Sequence, residues 1–349
     1  MSHATIRDVA REAAVSVASV SRVMNNVGNV GHATRLRIET AAAALGYVPH
    51  AGARNLSLAR ASAIGVVLPD LHGEFFSEAL RGMDREASAL GLQLLLSNMH
   101  ADADRAVAAL RTMRGRVDGL VVMAPHVDAD RLFAQLPAGL PVVLVNCAAH
   151  HERRPEMHVD NEAGAALMVD HLVARGRRAI VHIAGPEGNV EARDRAAGYR
   201  AAMARHGLTP RIIPGDFEEE SGAAAGALLL RRREGCDAVF AANDMMAIGA
   251  MVALRDGGLR IPHDIAVAGF DDIPLARLVS PSLTTMRVGI AAIGARAVTR
   301  LARAIAGDPD TTSERATPEL KARETTQISA QISTQNQART TGDQRGTRP

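Results

Sequence analysis

From Ala63 onward the chain alternates short, wholly apolar runs with amphipathic stretches of helix length, and few folds accept that pattern. Ala63–Asp70, Leu92–Ser97, Gly119–Met123 and Val142–Val145 form one set of apolar runs. Ala179–Ala184, Arg211–Ile213, Ala238–Ala241 and Ile265–Ala268 form a second. A strand with one wet face shows polar residues at alternate positions, whereas these runs read as strands covered on both faces, as in parallel sheets flanked by helices. Helices are predicted over Glu74–Leu90 and near residues 162–175, 194–206, 220–233 and 245–256. Two α/β subdomains with parallel sheets follow from that order. Ligands of open parallel sheets bind beyond the carboxyl ends of the strands. A cleft between two facing halves would therefore gather the loops at 69–76, 125, 146, 185–193, 216–217, 243–244 and 270–272.

The first sixty residues follow a different plan. Thr5 precedes a short apolar-periodic run and Asp8 can answer it in a capping box, so a helix is predicted from Ile6. Ala14-Val15-Ser16 breaks the pattern, and Ser16 is a good N-cap for a second helix over Val17–Asn25. Its apolar Val20, Val23 and Met24 share one face, which turns Val17, Ala18, Ser21 and Arg22 outward. A third helix is predicted over Thr34–Leu45. Two short helices joined by a tight turn, the second starting with small and basic side chains, form a helix-turn-helix. Charge agrees. The whole chain carries a net charge of only +2, but residues 1–60 hold seven arginines (Arg7, Arg11, Arg22, Arg35, Arg37, Arg54 and Arg60) against Asp8, Glu12 and Glu39. Contacts to phosphates need such a local excess.

Residues 5–16 (Thr-Ile-Arg-Asp-Val-Ala-Arg-Glu-Ala-Ala-Val-Ser), 19–25 (Ser-Val-Ser-Arg-Val-Met-Asn), 45–49 (Leu-Gly-Tyr-Val-Pro) and 53–56 (Ala-Arg-Asn-Leu) resemble the headpiece and hinge of the lactose-repressor (LacI/GalR) family of bacterial regulators, and the resemblance runs to about residue 326. It implies an all-α helix-turn-helix headpiece and hinge followed by a periplasmic-binding-protein-like α/β core. The implied DNA contacts are Thr5, Ser16, Val17, Ala18, Ser21, Arg22 and Asn25, with Arg54, Asn55 and Leu56 from a hinge that becomes helical when two subunits pair on the operator. Leu56 matches the residue that wedges into the minor groove. The implied effector contacts are Arg193, Asn243 and Asp271, with Asp160 and Phe217 matching less closely. Asp70, Phe75 and Phe76 join this set because they fall at a predicted strand end, where a ring beside carboxylates, amides and a guanidinium would hold a sugar-sized polar ligand. Four departures are visible: Ala14 stands at the usual glycine of the turn, Gly31 at the usual serine cap, His72-Gly-Glu-Phe-Phe replaces the usual Asn-Pro-Phe-Phe, and Lys321 and Ala322 replace the usual apolar pair in 317–326, which resembles the family's last strand.

The remaining features narrow the function. No apolar signal region or run of eighteen apolar residues is present, so a cytoplasmic protein with no membrane partner is expected. Cys147 and Cys236 have no ligand spacing and are expected to be core or near-core thiols. His100-Ala-Asp102-Ala-Asp104 and His126-Val-Asp128-Ala-Asp130 suit helix caps better than metal ligands. No phosphate loop, nucleophile elbow or cofactor motif appears, so neither a metal, a cofactor nor an enzyme is expected. The expected domains are a headpiece (1–48), a hinge (49–61), an effector-binding and dimerisation core (62–326) and a disordered polar tail (327–349) without leucine heptads. The expected function is effector-responsive repression of a carbohydrate-utilisation operon by a homodimer bound to double-stranded operator DNA, with a sugar or sugar derivative as effector. The alternative is a sugar-binding receptor with no direct DNA role.

Overall fold

The computed structural model describes residues 4–25, 28, 30–47, 61–100, 102–126, 134, 139–147, 156–232 and 235–327. Arg54, Asn55 and Leu56 of the expected hinge, and the tail beyond residue 327, lie outside the described residues. The chain divides into two compact units near Ala63.

The first unit carries three helices, α1 (Ile6–Glu12), α2 (Val17–Met24) and α3 (His32–Ala44). The Asp8 carboxylate accepts hydrogen bonds from the Thr5 backbone N–H and hydroxyl at 3.0 and 2.6 Å, which fixes where α1 begins. These bonds and the nearby Arg11 hold the Asp8 carboxyl below its ordinary pKa. The turn between α1 and α2 places Ala14 at φ +50°, the left-handed region that favours glycine. Ser16 Oγ then accepts from the Ser19 N–H at 3.2 Å and starts α2. Val9, Ala10, Ala13, Val20, Val23, Ile38, Ala41 and Ala42 close a small core. The helix α3 begins two residues before its predicted start, with Gly31 as a cap that offers no side chain.

The second unit contains the two parallel sheets. One has the order β11-β5-β4-β3-β1-β2, built from β1 (Ala63–Leu68), β2 (Gln93–Asn98), β3 (Gly119–Met123), β4 (Val142–Val145), β5 (Glu156–Val159) and β11 (Ser313–Ala316). The other has the order β7-β6-β8-β9, built from β6 (Ile180–Ile183), β7 (Arg211–Ile213), β8 (Ala238–Ala241) and β9 (Ala266–Ala268). Its three pairings are all parallel. Strands β1, β3, β4, β6, β8 and β9 are buried along their whole length, as expected of sheets covered on both faces.

Helices α4 (Glu74–Ala89), α5 (Ala103–Met113), α6 (Asn161–Ala174), α7 (Val190–Arg205), α8 (Glu219–Arg232), α9 (Asp244–Asp256) and α10 (Ile290–Ile305) provide the cover. Asp102 caps α5 by accepting from the backbone N–H groups of Asp104 and Arg105, the role expected for it. Helix α7 starts at Val190 rather than near 194, because Asn189 Oδ1 accepts from the Glu191 and Ala192 N–H groups and caps it early. Helix α10 and strand β11 were not anticipated in the sequence. Strands β10 (Thr285–Arg287) and β12 (Glu319–Lys321) form a separate antiparallel pair. The chain therefore leaves the first sheet after β5, builds the second, and returns to add β11 beside β5 in parallel register.

Candidate functional site: headpiece surface and cavity

On the headpiece, burial of Val20 and Val23 leaves Val17, Ala18 and Arg22 exposed and Ser21 half-buried. Val17, a branched apolar side chain, is 42% exposed at the start of α2. This start is small and apolar, and Arg22 follows one turn later, exposed and without a salt bridge among the described residues. Asn25, the C-cap, donates from Nδ2 to Ser21 Oγ at 3.3 Å. Thr5 and Ser16 have their hydroxyls engaged in the caps described above.

In the second unit, loops beyond the strand ends of both sheets enclose a cavity of about 360 Å³. Asp70, Phe75, Phe76, Phe217, Asn243 and Asp271 line it. Two expected residues do not. Asp160 lies in a second cavity of about 520 Å³, where it caps α6 by accepting from the Ala163 N–H. Arg193 is exposed on α7, and the guanidinium in the cavity belongs to Arg195. Helical geometry explains the exchange: two residues along a helix turn by about 200°, so the early start at Val190 points Arg195 inward and Arg193 to solvent.

Arg195 is 3% exposed and tightly held. Its Nε donates to Asn161 Oδ1 at 2.8 Å and its Nη1 to the Ala242 carbonyl at 2.6 Å. The guanidinium carbon stands 4.0 Å from the Phe270 ring centre and 5.8 Å from that of Phe217, a cation–π arrangement on two sides. Phe270, expected near the cleft, is fully buried beneath the guanidinium. Arg195 Nη1 lies 3.2 Å from Asp271 Oδ1, and Nη2 lies 3.6 Å from Glu191 Oε1. The approach to Asp271 is within ion-pair range but poorly aligned, and Asp271 Oδ1 has no hydrogen bond among the described residues. Burial pushes the Asp271 carboxyl up to about 7, with Arg195 pulling the other way and Glu191 adding to the rise. Glu191 is raised too, chiefly by burial, and accepts from Asn146 Nδ2 at 2.8 Å.

The strand-end loop is held in place by neighbouring carboxylates. Asp244, fully buried and raised well above its ordinary value by burial and by Asp271, accepts from the Ile273 N–H at 2.9 Å and the Thr285 hydroxyl at 2.5 Å. Burial also works against ionisation of Asp272, but Arg323 and Arg287 bond its two oxygens and hold its carboxyl below the usual range. Asp271 and Asp272 sit at φ +113° and +59°, and Phe217 at φ +77°. Three non-glycine residues in the left-handed region beside one cavity is strain concentrated at a site, where such strain tends to be functional. Asn243 is held at both ends of its amide: Oδ1 caps α9 through the Met246 N–H, and Nδ2 donates to the Phe217 carbonyl at 2.7 Å. It thereby positions Phe217 at the cavity wall.

Besides Arg195, sequence reasoning missed His72, His126, Asn189, Glu191, Glu218 and Ile273, all of which line the cavity. All six were within reach, since His72, Asn189 and Glu191 fall in loops expected at the cleft and His126, Glu218 and Ile273 stand directly beside such loops. Phe75 and Phe76 meet edge to face, ring centres 5.3 Å apart. The site thus combines aromatic faces with one locked guanidinium and a poorly satisfied carboxylate, a set suited to a ligand that has both an apolar face and hydroxyl groups.

Comparison with known proteins agrees with both halves. A family profile described as bacterial regulatory proteins, lacI family, matches residues 5–50, and one described as a periplasmic binding protein-like domain matches residues 169–326. Catabolite control protein A of Priestia megaterium is 34% identical over 304 residues, covering 86% of this chain and 92% of that protein. The ribose operon repressor of Escherichia coli K12 is 37% identical over 289 residues, covering 81% and 87%. The crystal structure of the lac repressor dimer bound to operator and the anti-inducer ONPF superposes with a TM-score of 0.85 at 30% identity, covering 94% of this chain and all of that one. No helix among the described residues is long and apolar enough to cross a membrane. The chain belongs to the LacI/GalR family of bacterial transcriptional regulators.

Proposed function

We propose that this protein is a cytoplasmic, homodimeric, effector-responsive repressor of a carbohydrate-utilisation operon, with no enzymatic activity. Residues 1–48 would read double-stranded operator DNA, residues 49–61 would act as the hinge, residues 62–326 would bind the effector and the second subunit, and residues 327–349 would form a tail. Arg22 and the apolar Val17 and Ala18 would contact base edges, with Thr5, Ser16, Ser21, Asn25, Arg54, Asn55 and Leu56 completing the DNA surface. The observation that carries the effector reading is the Arg195–Asp271 pair, 3.2 Å apart and flanked by aromatic rings in a cavity open on one side. A sugar or sugar derivative would stack on Phe75, Phe76 or Phe217 while its hydroxyls bond Asp271 and Arg195, with Asp70 at the cavity edge. Asn243 would act by holding Phe217. Asp160 and Arg193 lie outside the cavity and would not touch an effector bound there.

A thermal-shift screen against neutral sugars, sugar phosphates and nucleosides tests the reading, because a ligand that binds the folded state raises apparent stability by mass action. A hit that also changes operator binding in a fluorescence-anisotropy assay would support it. Turnover of the hit, or binding that leaves DNA affinity unchanged at saturation, would overturn it.

A further inference from the structure

We propose that the mouth of the cavity carries a site for a divalent transition metal of the zinc class, formed by His72, Glu218 and Glu219. A ring nitrogen of His72 and one oxygen from each carboxylate all lie within 4.8 Å of one another. The shortest separation, His72 Nε2 to Glu218 Oε2, is 3.1 Å. Around a tetrahedral zinc with bonds of about 2.0–2.1 Å, ligand atoms stand roughly 3.3 Å apart, so this edge already has coordination spacing. The wider edges close by side-chain rotation, which the largely exposed His72 can make.

Two further observations point to a cation. Glu219 Oε2 is buried and has no hydrogen-bond partner among the described residues. A bound ion or an ordered water would satisfy such an oxygen, and the two neighbouring ligand groups favour the ion. The electrostatics agree: Asp70 and Asp216 crowd Glu218 together with Glu219, and no Lys or Arg forms a salt bridge with any of the four among the described residues, while the His72 imidazole stands against Glu218. One imidazole with two carboxylates suits zinc and its first-row neighbours better than calcium or magnesium, which favour all-oxygen sets.

His72 follows β1 of the first sheet, whereas Glu218 precedes and Glu219 begins α8 against the second. A metal there would tie the two subdomains together across the opening that His72 and Glu218 line, leaving a fourth position for water or a ligand oxygen. The sequence could not reveal it, because the ligands come from distant loops with no recognisable spacing. The proposal stands apart from the effector reading, since its test needs neither effector nor DNA.

Metal-free full-length protein is titrated with zinc sulfate by calorimetry, and with cobalt(II) by visible absorption. One metal per chain is expected, with a rise in melting temperature and cobalt bands of a four- or five-coordinate site. His72→Ala and Glu219→Gln should each weaken zinc binding at least tenfold and abolish the thermal shift, while His206→Ala, whose imidazole pairs with Asp170, leaves both unchanged. Matching melting curves for the metal-free variants exclude misfolding, and His72, being exposed, carries the test if Glu219→Gln fails to fold. Absence of saturable binding, or binding unaffected by His72→Ala, overturns the proposal and leaves an ordinary His–Glu ion pair at the rim.

Discussion

Arg195 and Asp271 are both nearly inaccessible, yet neither is fully satisfied by the other, and that residual demand is what a ligand can meet. Charge-assisted hydrogen bonds contribute about 1.5–3 kcal/mol each. Arg195→Ala is therefore expected to raise the effector concentration needed for half-response at least tenfold, while Arg193→Ala, on the solvent side of the same helix, leaves it unchanged; calorimetry separates the two. Asp271 also makes binding depend on pH. Its folded pKa is about 7, above the unfolded value near 4, so the folded state holds an extra proton between those limits. The stability this contributes is complete below about pH 4 and is lost as pH rises toward 7. A ligand hydroxyl that donates to the ionised carboxylate would expel the proton, so affinity should increase from pH 6 to 8. Asp271→Asn should flatten both trends, as measured by calorimetry and melting curves across that range. In the headpiece, Ala14 at φ +50° predicts that Ala14→Gly stabilises the turn by about 0.5–1 kcal/mol, visible as slower hydrogen exchange in α1 and α2.

Among the elements, those with simple periodicity were legible and those with mixed demands were not. The buried strands β3 and β4 coincide with the predicted runs, because continuous apolar sequence has few other uses in a chain with helices between its strands. Strand β11 was invisible: Ser-Glu-Arg-Ala is an edge strand paired through its backbone, and backbone pairing leaves no mark on side-chain choice. Helix α10 was available to be read, since Ile290, Ile293, Gly294, Ala297, Val298 and Leu301 recur at helical spacing and are all buried. Position along a helix also decided the site. Without the Asn189 cap the start of α7 could not be placed, and so Arg193 and Arg195 could not be told apart. The contact between α4 and α10 sets a further limit. A Cβ at Gly82 would collide with the Ala291 carbonyl, so Gly82→Ala should destabilise the folded chain by roughly 1–3 kcal/mol in denaturant titration.

For the whole molecule, the decisive property is that effector and DNA responses be separable yet linked. A ligand shifts an equilibrium only by its differential affinity for two states. Arg195→Ala is accordingly expected to keep near-normal operator affinity without effector, and Arg22→Ala to lose about 1–3 kcal/mol at one symmetric base position while keeping normal effector binding. Parallel anisotropy and calorimetry on both variants check this. Acid sensitivity belongs at this scale too. His182 is fully buried against Tyr199 and Phe240, and burial lowers its pKa to about 4. Its neutral form is favoured in the fold, so stability is complete above about pH 6.5 and declines toward pH 4 by on the order of 2–3 kcal/mol. His182→Gln should remove that decline from the melting profile. The return of the chain to β11 bears on how the protein is made. The sheet that opens with Ala63 acquires its last strand only at Ser313–Ala316, so a ribosome must thread nearly the whole core before the first subdomain can be completed. Meanwhile β5 waits with one edge unpaired, and exposed strand edges are where growing chains associate wrongly. Chains stalled or truncated before residue 313 are thus expected to be the aggregation-prone species during synthesis.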